Sequence, residues 1–271
     1  ERGLNIDFKD INLTFSDDLK NWMNQKKYDP NTTKKLFSTL KTFLNFYYKR
    51  RNELGLELND IYQSKDFGNI KTHSSPPVIL EPYEFWQLTL IANGTWSRRL
   101  TKKESLVKDM MLLQCSTGLR YSDLFRITPD KIRNHILYIE PVKTETTKKD
   151  NLCKIPLNDC SYPVLKKYNF DTTKLKMSNQ YYNRMIKKVA KVMAIKSKVV
   201  KKKYRGGGDP IEETFEKWEI LTSHNFRDHF ISNCIRVGID IPTIMKYTNQ
   251  SSWEVMQKYV KLNDVHLINS M

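Results

Sequence analysis

The chain has 271 residues and a mass of 32.1 kDa, and 39% of its residues are hydrophobic while 28% are charged. This length suits two domains, and the apolar fraction can fill a core, which argues against a fibrous or disordered chain. A mean hydropathy of −0.61 and the lack of an apolar run of about 18 residues exclude a transmembrane helix. The excess of 46 basic over 30 acidic residues, +16, favours a polyanionic partner, most often nucleic acid, over a basic protein that is merely soluble.

The four cysteines do not form a C-x-x-C pair, which disfavours a disulfide framework or a zinc site. They are Cys115, Cys153, Cys160 and Cys234. The first residues are polar and do not have the pattern of a signal peptide. We therefore expect a location in the reducing cytoplasm, and, because the chain begins with Glu1, native sequence upstream of it.

Residues 1–70 are predicted to form a helical domain with a net charge that is low in comparison with the rest of the chain. A helix is expected to start at Asp29-Pro30, and its apolar positions recur at the spacing of one buried stripe. These positions are Leu36, Leu40, Phe43, Leu44 and Tyr47. The opposite side carries Lys34, Lys35 and Lys41, which either contact DNA or are simply solvated. Residues 71–79 contain Ser-Ser-Pro-Pro, which is typical of an interdomain linker.

Residues 80–271 are predicted to be an α+β domain. Helices are expected at 80–88, with Pro82 in the first turn, and at 103–116, ending before Gly118. Residues 136–142 and 152–157 have strand-like patterns and are expected to form a hairpin, whose prolines indicate a sheet edge. Helical patterns resume near Ser178, so the fold class is mainly α with a small antiparallel sheet.

The segment 172–208 is the most biased part of the chain, with 12 basic residues and no acidic one. A stretch of one sign repels itself unless a polyanion is present, and this favours phosphate contact over a role in solubility. The candidates for DNA contact here are Arg184, Lys187, Lys188, Lys201, Lys202, Lys203 and Arg205. The glycines that follow are not a phosphate-binding P-loop, because they lack the Gly-Lys-Ser/Thr sequence.

Three separated segments carry side chains suited to phosphodiester chemistry. The first contains Arg120 directly after Thr-Gly-Leu, the second contains His224 and Arg227 three residues apart, and the third bears Tyr259 on a short helix with a Ser251-x-x-Glu capping box. A tyrosine oxygen can attack phosphorus, two guanidinium groups can hold the non-bridging oxygens, and an imidazole can move a proton. A cation that protonates the leaving oxygen is also needed. The candidates on the predicted hairpin are Lys143, preferred, and Lys148, Lys149 and Lys154.

In this order and spacing the segments resemble the tyrosine recombinase (phage integrase) family over nearly the whole chain. The resemblance implies a helical core-binding domain, an α+β catalytic domain, and strand exchange through a 3′-phosphotyrosyl link at Tyr259. It implies that Arg120 and Arg227 clamp the phosphate, that His224 assists, that Lys143 is the general acid, and that Asp123 orients Arg120. It also implies double-stranded DNA as the partner, a tetramer on two duplexes, and no cofactor.

One departure from the family pattern lies before the nucleophile. Gln250 occupies the place of the usual His or Trp, and Asn249 replaces the Gly; we expect Gln250 to donate a neutral hydrogen bond in the site or to support packing. A type IB topoisomerase and a catalytically weak DNA-binding accessory protein of the same fold remain alternatives. The apolar tail residues after Lys261 are expected to pack on a neighbouring protomer, or equally on their own core.

Overall fold

The computed structural model of the chain describes residues 6–90, 100–142, 151–206 and 208–268, and the side chains of these residues except those of residues 90 and 262–268. The chain forms two compact units. One contains the described residues up to Ser75 together with Val200–Thr214, and the other contains Pro76–Val199 and the chain from Phe215 onward. The interdomain linker predicted at residues 71–79 stays a prediction.

The first unit is a helical bundle with an aromatic core. Its helices are α1 (Leu13–Gln25), α2 (Pro30–Tyr48) and α3 (Arg51–Leu54). The start of α2 confirms the predicted signal: Asp29 caps the helix by accepting a hydrogen bond from the Asn31 N–H, and Pro30 occupies the first helical position, where its missing N–H has no cost.

The predicted buried stripe of α2 is partly wrong. The fully buried positions are Thr33, Phe37 and Leu44, while Leu36 and Phe43 are 43% and 49% exposed. Phe37 sets this rotation, because its ring packs edge-on against Phe67 at 5.7 Å between centroids. The apolar spacing of α2 is compatible with burial of either face, and the contact with Phe67, from a distant segment, determines which face is buried.

The second unit contains a three-stranded antiparallel sheet and most of the helices. Its first elements are α4 (Pro82–Leu90), α5 (Lys102–Thr117), α6 (Tyr121–Leu124), β1 (Ile132–Arg133), β2 (Ile136–Ile139), β3 (Cys153–Pro156), α7 (Ser161–Lys167) and α8 (Asn179–Val192). Its last elements are α9 (Lys217–Ile220), α10 (Ser223–Arg236), α11 (Ile241–Thr248) and α12 (Trp253–Ile268). The strand order β1-β2-β3 puts Pro156 on an edge strand, opposite Ile136, as its inability to donate to a sheet requires.

Helix α5 is the centre of this unit. A capping box between Thr101 and Glu104 starts it, and Gly118 ends it in the left-handed conformation at φ 66°. Its residues from Val107 onward are buried on all sides, because α7, α8 and α10 pack around it. A helix that is buried all round holds its ends rigidly, so the turn after Gly118 has a fixed position.

Two strands that the sequence pattern did not predict, β4 (Lys198–Lys203) and β5 (Ile211–Glu216), pair in a two-stranded sheet. The acidic residues of β5 reach the lysines of β4: Lys202 pairs with Glu212 at 3.3 Å and Lys203 with Glu213 at 2.5 Å. The one-sign segment 172–208 is therefore partly neutralised by the strand that follows it. None of the described helices combines the length and the apolar character needed to cross a membrane.

Candidate active site

Arg227 lies at the centre of the site, in the first half of α10, with 5% of its surface exposed. Its Nη1 donates a hydrogen bond to the carbonyl oxygen of Gly118 at 2.8 Å, and its Nη2 donates one to the carbonyl oxygen of Thr248. One guanidinium thus fixes the turn after α5 and the turn after α11. Burial, with a second contribution from the charge of Arg120, lowers the pKa of Arg227 to about 10, so the group stays protonated at neutral pH.

Arg120 directly follows this first turn and precedes α6. The turn is supported from within by Gln114, whose amide donates to the carbonyl oxygen of Leu119 at 3.0 Å. Arg120 is half-buried, and its Nη1 is buried without a hydrogen-bond partner among the residues that the structure describes. A buried guanidinium N–H that lacks an acceptor, next to a second guanidinium, is a binding site for an anion such as a phosphate.

Tyr259 brings its hydroxyl to the same place from α12. The side chain is 6% exposed and packs in an apolar cluster that includes Phe230, Ile244 and Met256. Burial raises the pKa of Tyr259, the negative charge of Asp228 raises it further, and the positive charge of Arg227 acts in the opposite direction. The phenol therefore lies within electrostatic reach of Arg227, and it belongs to the same chain.

The Tyr259 hydroxyl donates a hydrogen bond to Oδ1 of Asp228 at 2.7 Å. His224 lies one turn earlier on α10, mostly exposed, with Nε2 3.6 Å from the same carboxylate oxygen. Burial raises the pKa of Asp228, while the nearby His224 lowers it. Sequence reasoning missed Asp228, although its spacing of three residues from Ile231 places a carboxylate on the apolar face of α10, where a buried charge needs a partner.

The predicted general acid, Lys143, lies outside the described residues, as do Lys148 and Lys149. Lys154 is described, on β3, where it lies 6.0 Å from the centroid of the Tyr138 ring. Its neighbour Cys153 is buried and within reach of the charges of both arginines. Because successive side chains of a strand point to opposite faces, Lys154 faces away from the arginines. This leaves the lysines outside the described residues as candidates.

The described contacts of Asp123 differ from the expected one with Arg120. Its buried carboxylate accepts a hydrogen bond from the backbone N–H of Val142 at 3.0 Å and lies 3.9 Å from Arg126. The physical reason is that Asp123 is on α6, beside the segment that leaves β2. It therefore anchors the residue that precedes Lys143.

The backbone conformation explains why Asn249 can replace the family's glycine before the nucleophile. Asn249 ends α11 in the left-handed conformation at φ 47°, which asparagine tolerates better than most residues other than glycine. The N–H of Gln250 donates to the carbonyl oxygen of Met245 at 3.0 Å, and its side chain is half-buried. The predicted capping box at Ser251 is wrong: Ser252 precedes α12, and its hydroxyl accepts from the Val255 N–H at 3.3 Å, because the helix starts one residue later.

The basic side chains proposed for DNA contact have different surroundings. Lys34, Lys35, Arg184 and Arg205 are exposed, and Lys187 is half-buried. Lys188 pairs with the buried Glu104 at 2.8 Å. The ammonium group of Lys41 donates to the carbonyl oxygen of Ser64 at 3.1 Å, which favours a packing role. Lys201, Lys202 and Lys203 lie on β4, beside the acidic residues of β5.

Within the described part of the chain, histidine, cysteine and acidic side chains do not come together in a group of three that could hold a metal ion. Among the described residues, the ionisable side chains that converge with Tyr259 include the two arginines, His224 and Asp228.

Two family models match the chain. Residues 95–266 match the phage integrase family, and residues 2–51 match the phage integrase SAM-like domain. Curated protein sequences gave no significant match.

Several solved structures share the fold at low sequence identity. The Tn1549 transposon integrase in complex with circular intermediate DNA is 15% identical, with 96% of this chain and 84% of that chain covered and a TM-score of 0.61. A lambda integrase dimer bound to a COC′ core site is 17% identical, with 95% and 83% covered and a TM-score of 0.60. A lambda integrase tetramer bound to a Holliday junction is 15% identical, with 94% and 64% covered and a TM-score of 0.56.

Proposed function

The chain belongs to the phage integrase family of tyrosine recombinases, and we propose that it breaks and rejoins DNA through a phosphotyrosyl ester on Tyr259. The observation that carries this assignment is the Nη1 of Arg120, which has no hydrogen-bond partner in the described part of the chain, beside the buried Arg227, whose charge the Tyr259 hydroxyl also meets. A phosphodiester placed there supplies the missing acceptor.

The reaction is a transfer between two esters. The Tyr259 oxygen forms a bond to phosphorus, the bond from phosphorus to the 5′ oxygen breaks, and a 3′-phosphotyrosyl link and a free 5′-hydroxyl result. The 5′-hydroxyl of a partner duplex then reverses the step. The energy of the phosphodiester is kept in the tyrosyl ester, so neither ATP nor a cofactor is needed.

Arg120 and Arg227 are assigned to the non-bridging oxygens of the phosphate. They hold the negative charge as it redistributes in the transition state, and loss of one such preorganised donor costs roughly 10²–10³ in rate. The hydrogen bonds of Arg227 to two backbone carbonyls support this role, because they remove the freedom of its guanidinium before DNA arrives.

Lys143 is assigned as the general acid that protonates the leaving 5′ oxygen. The hydrogen bond from the Val142 N–H to Asp123, which holds the residue directly before Lys143 next to α6, supports this assignment. His224 is assigned to the attacked phosphate or to the Tyr259 proton, and Gln250 to a neutral hydrogen bond in the transition state. Gln250 cannot exchange a proton near neutral pH, so its contribution is smaller than that of the arginines.

The partner is a pair of double-stranded recombination sites, with four copies of the chain assembled on them and the bacterial cytoplasm as the location. The basic side chains assigned to DNA contact are Lys34, Lys35, Arg184, Lys187, Lys188, Lys201, Lys202, Lys203 and Arg205. Their charge is consistent with the strong positive balance of the sequence.

A nicked suicide duplex that carries a recombination site tests the proposal. The nick lets the 5′-hydroxyl fragment diffuse away, so a covalent protein–DNA adduct accumulates. We expect the adduct with the wild type and with Tyr247→Phe, and none with Tyr259→Phe. Absence of adduct from the wild type would favour a non-catalytic accessory protein, and relaxation of supercoils without joining of two sites would favour a topoisomerase.

A further inference from the structure

We propose that Asp228 is the general base that takes the proton of Tyr259 when the phenol attacks DNA. This inference rests on the proposed function of Tyr259. It adds a residue to the site that the sequence reasoning did not assign. The observation behind it is the 2.7 Å hydrogen bond from the Tyr259 hydroxyl to Oδ1 of Asp228, between two side chains that are 6% and 4% exposed.

A carboxylate in this position needs a reason, because Asp228 is buried and its partner Tyr259 packs in an apolar cluster. Phe230, Ile231 and Met256 are buried in the same cluster, and a charged group among them costs desolvation energy. An asparagine could accept the same hydrogen bond without a charge. Unlike the asparagine amide, the carboxylate can accept a proton from the phenol.

The environment makes Asp228 a better proton acceptor than an exposed aspartate. Burial raises the pKa of its carboxyl, so the ionised form is a stronger base. The groups that face it are Tyr259 from α12 and, from its own helix, His224, Asn225 and Arg227. The pKa of Tyr259 is raised as well, so the phenol stays neutral at rest and needs an acceptor during attack.

The proton balance of the cleavage step follows from this geometry. The Tyr259 oxygen bonds to phosphorus, and its proton moves to Oδ1 of Asp228. The bond from phosphorus to the 5′ oxygen breaks, and that oxygen receives a proton from the general acid, which the proposed function assigns to Lys143. In the joining step the two transfers reverse. His224, with Nε2 3.6 Å from Oδ1 and most of its ring exposed, stabilises the ionised carboxylate and connects it with solvent.

The test compares Asp228→Asn with the wild type on the nicked suicide duplex. The amide oxygen keeps the hydrogen bond from the phenol but cannot take a proton. We expect the rate of adduct formation to fall by roughly 10²–10⁴, the usual contribution of a general base, while DNA affinity is unchanged. The residual rate should rise with pH into the alkaline range, where the phenol ionises unaided, and Asp228→Glu should recover part of the activity.

A substrate with a sulfur in place of the 5′ bridging oxygen separates the base from the acid. Sulfur leaves without protonation, so this substrate should restore Lys143→Ala and should leave the defect of Asp228→Asn in place. Glu254→Gln is the matched control, since it removes an exposed carboxylate from α12 about one turn before Tyr259 and should react like the wild type.

The outcomes distinguish this inference from the proposed function. A wild type that forms no Tyr259 adduct contradicts the proposed function. A wild type that forms the adduct, together with a folded Asp228→Asn variant that forms it at the same rate and with the same pH profile, overturns the assignment of Asp228 alone. A faster Asp228→Asn variant also overturns it, because the carboxylate would then restrain the nucleophile.

Discussion

Arg227 and Gly118 are 109 positions apart in the sequence and are joined by a hydrogen bond of 2.8 Å from the guanidinium Nη1 to the backbone carbonyl. The bond connects the middle of the site with the turn that carries Arg120. A second bond from the same guanidinium reaches the carbonyl of Thr248, before the segment that leads to Tyr259. Arg227 therefore holds the site together as well as acting in it, whereas the Nη1 of Arg120 has no acceptor among the residues that the structure describes and can bind a ligand.

Lysine substitutions at the two arginines should separate these roles. Arg227→Lys keeps the charge but leaves a buried carbonyl without its donor, which costs about 1–3 kcal/mol of unfolding free energy. Arg120→Lys should leave the unfolding free energy unchanged, and both variants should lose roughly 10²–10³ in the rate of adduct formation. Urea unfolding and the suicide-duplex assay measure the two quantities. Equal unfolding midpoints of the two variants would contradict the structural role of Arg227.

Gly118→Ala should be much more damaging than Gly238→Ala, although both glycines have positive φ, 66° and 85°. A Cβ at residue 118 would come within 2.4 Å of the Phe230 ring, whereas a Cβ at residue 238 would meet nothing within 4 Å. Both variants acquire about 1–2 kcal/mol of backbone strain from the left-handed conformation. Gly118→Ala adds overpacking of about 1–3 kcal/mol, because Phe230 is buried and cannot move freely.

Urea unfolding of both glycine variants gives the comparison, and the suicide duplex shows whether the site survives. We expect Gly118→Ala to lose cleavage as well as stability, since the turn that carries Arg120 must shift. Similar unfolding free energies of the two variants would show that the Phe230 ring yields to the added methyl group.

The sequence was sufficient for those parts of the fold whose signals are local. The cap at Asp29 and the helix end at Gly118 each depend on residues next to one another in the chain, and β2 and β3 are consecutive strands with their own apolar patterns. The face of α2 that is buried depends on Phe67, and the charge balance of β4 depends on β5. These are contacts between distant segments, and neither spacing nor composition contains them.

In the site, too, some features could be predicted from local sequence signals and others depend on contacts between distant segments. Arg120, His224, Arg227 and Tyr259 could be selected because their residue types and order suit phosphoryl transfer. The hydrogen bond between Asp228 and Tyr259, and the contact of Asp123 with Val142, could not be selected in this way. An acidic side chain beside an arginine suggests an ion pair with it, and only the packing of α12 against α10 shows that the phenol is the partner.

Binding to DNA should weaken steeply with salt. With roughly 6–10 phosphate contacts, affinity should fall about 10³–10⁵-fold between about 50 and 200 mM monovalent salt. Lys34→Ala should reduce the slope of log affinity against log salt by about 0.9, the value for one phosphate contact. Lys41→Ala is the matched control on the same helix, because its ammonium group is already bonded to the Ser64 carbonyl. A salt slope that Lys34→Ala leaves unchanged would remove this face from the DNA-binding surface.

The carboxyl of Asp228 should make the folded protein less stable as pH rises. Its pKa is raised in the folded state, mainly by burial, so the folded chain binds more protons than the unfolded chain between the ordinary and the raised pKa. Stability is therefore favoured below the ordinary pKa of an aspartate and is lost as pH rises through the raised value. Above the raised pKa the wild type carries the full cost of the buried charge, and Asp228→Asn does not.

The expected result is a higher Tm for Asp228→Asn than for the wild type at pH values above the raised pKa, with the difference narrowing as the pH is lowered through the range in which Asp228 titrates. Thermal unfolding of the two proteins at a series of pH values measures it, and Glu254→Gln, which removes an exposed carboxylate, should follow the wild type throughout. A difference in Tm that is constant with pH would mean that Asp228 is ionised equally easily in the folded and unfolded chain. A stabilised variant that has lost cleavage would instead show that the carboxylate is kept for its chemistry at the expense of stability.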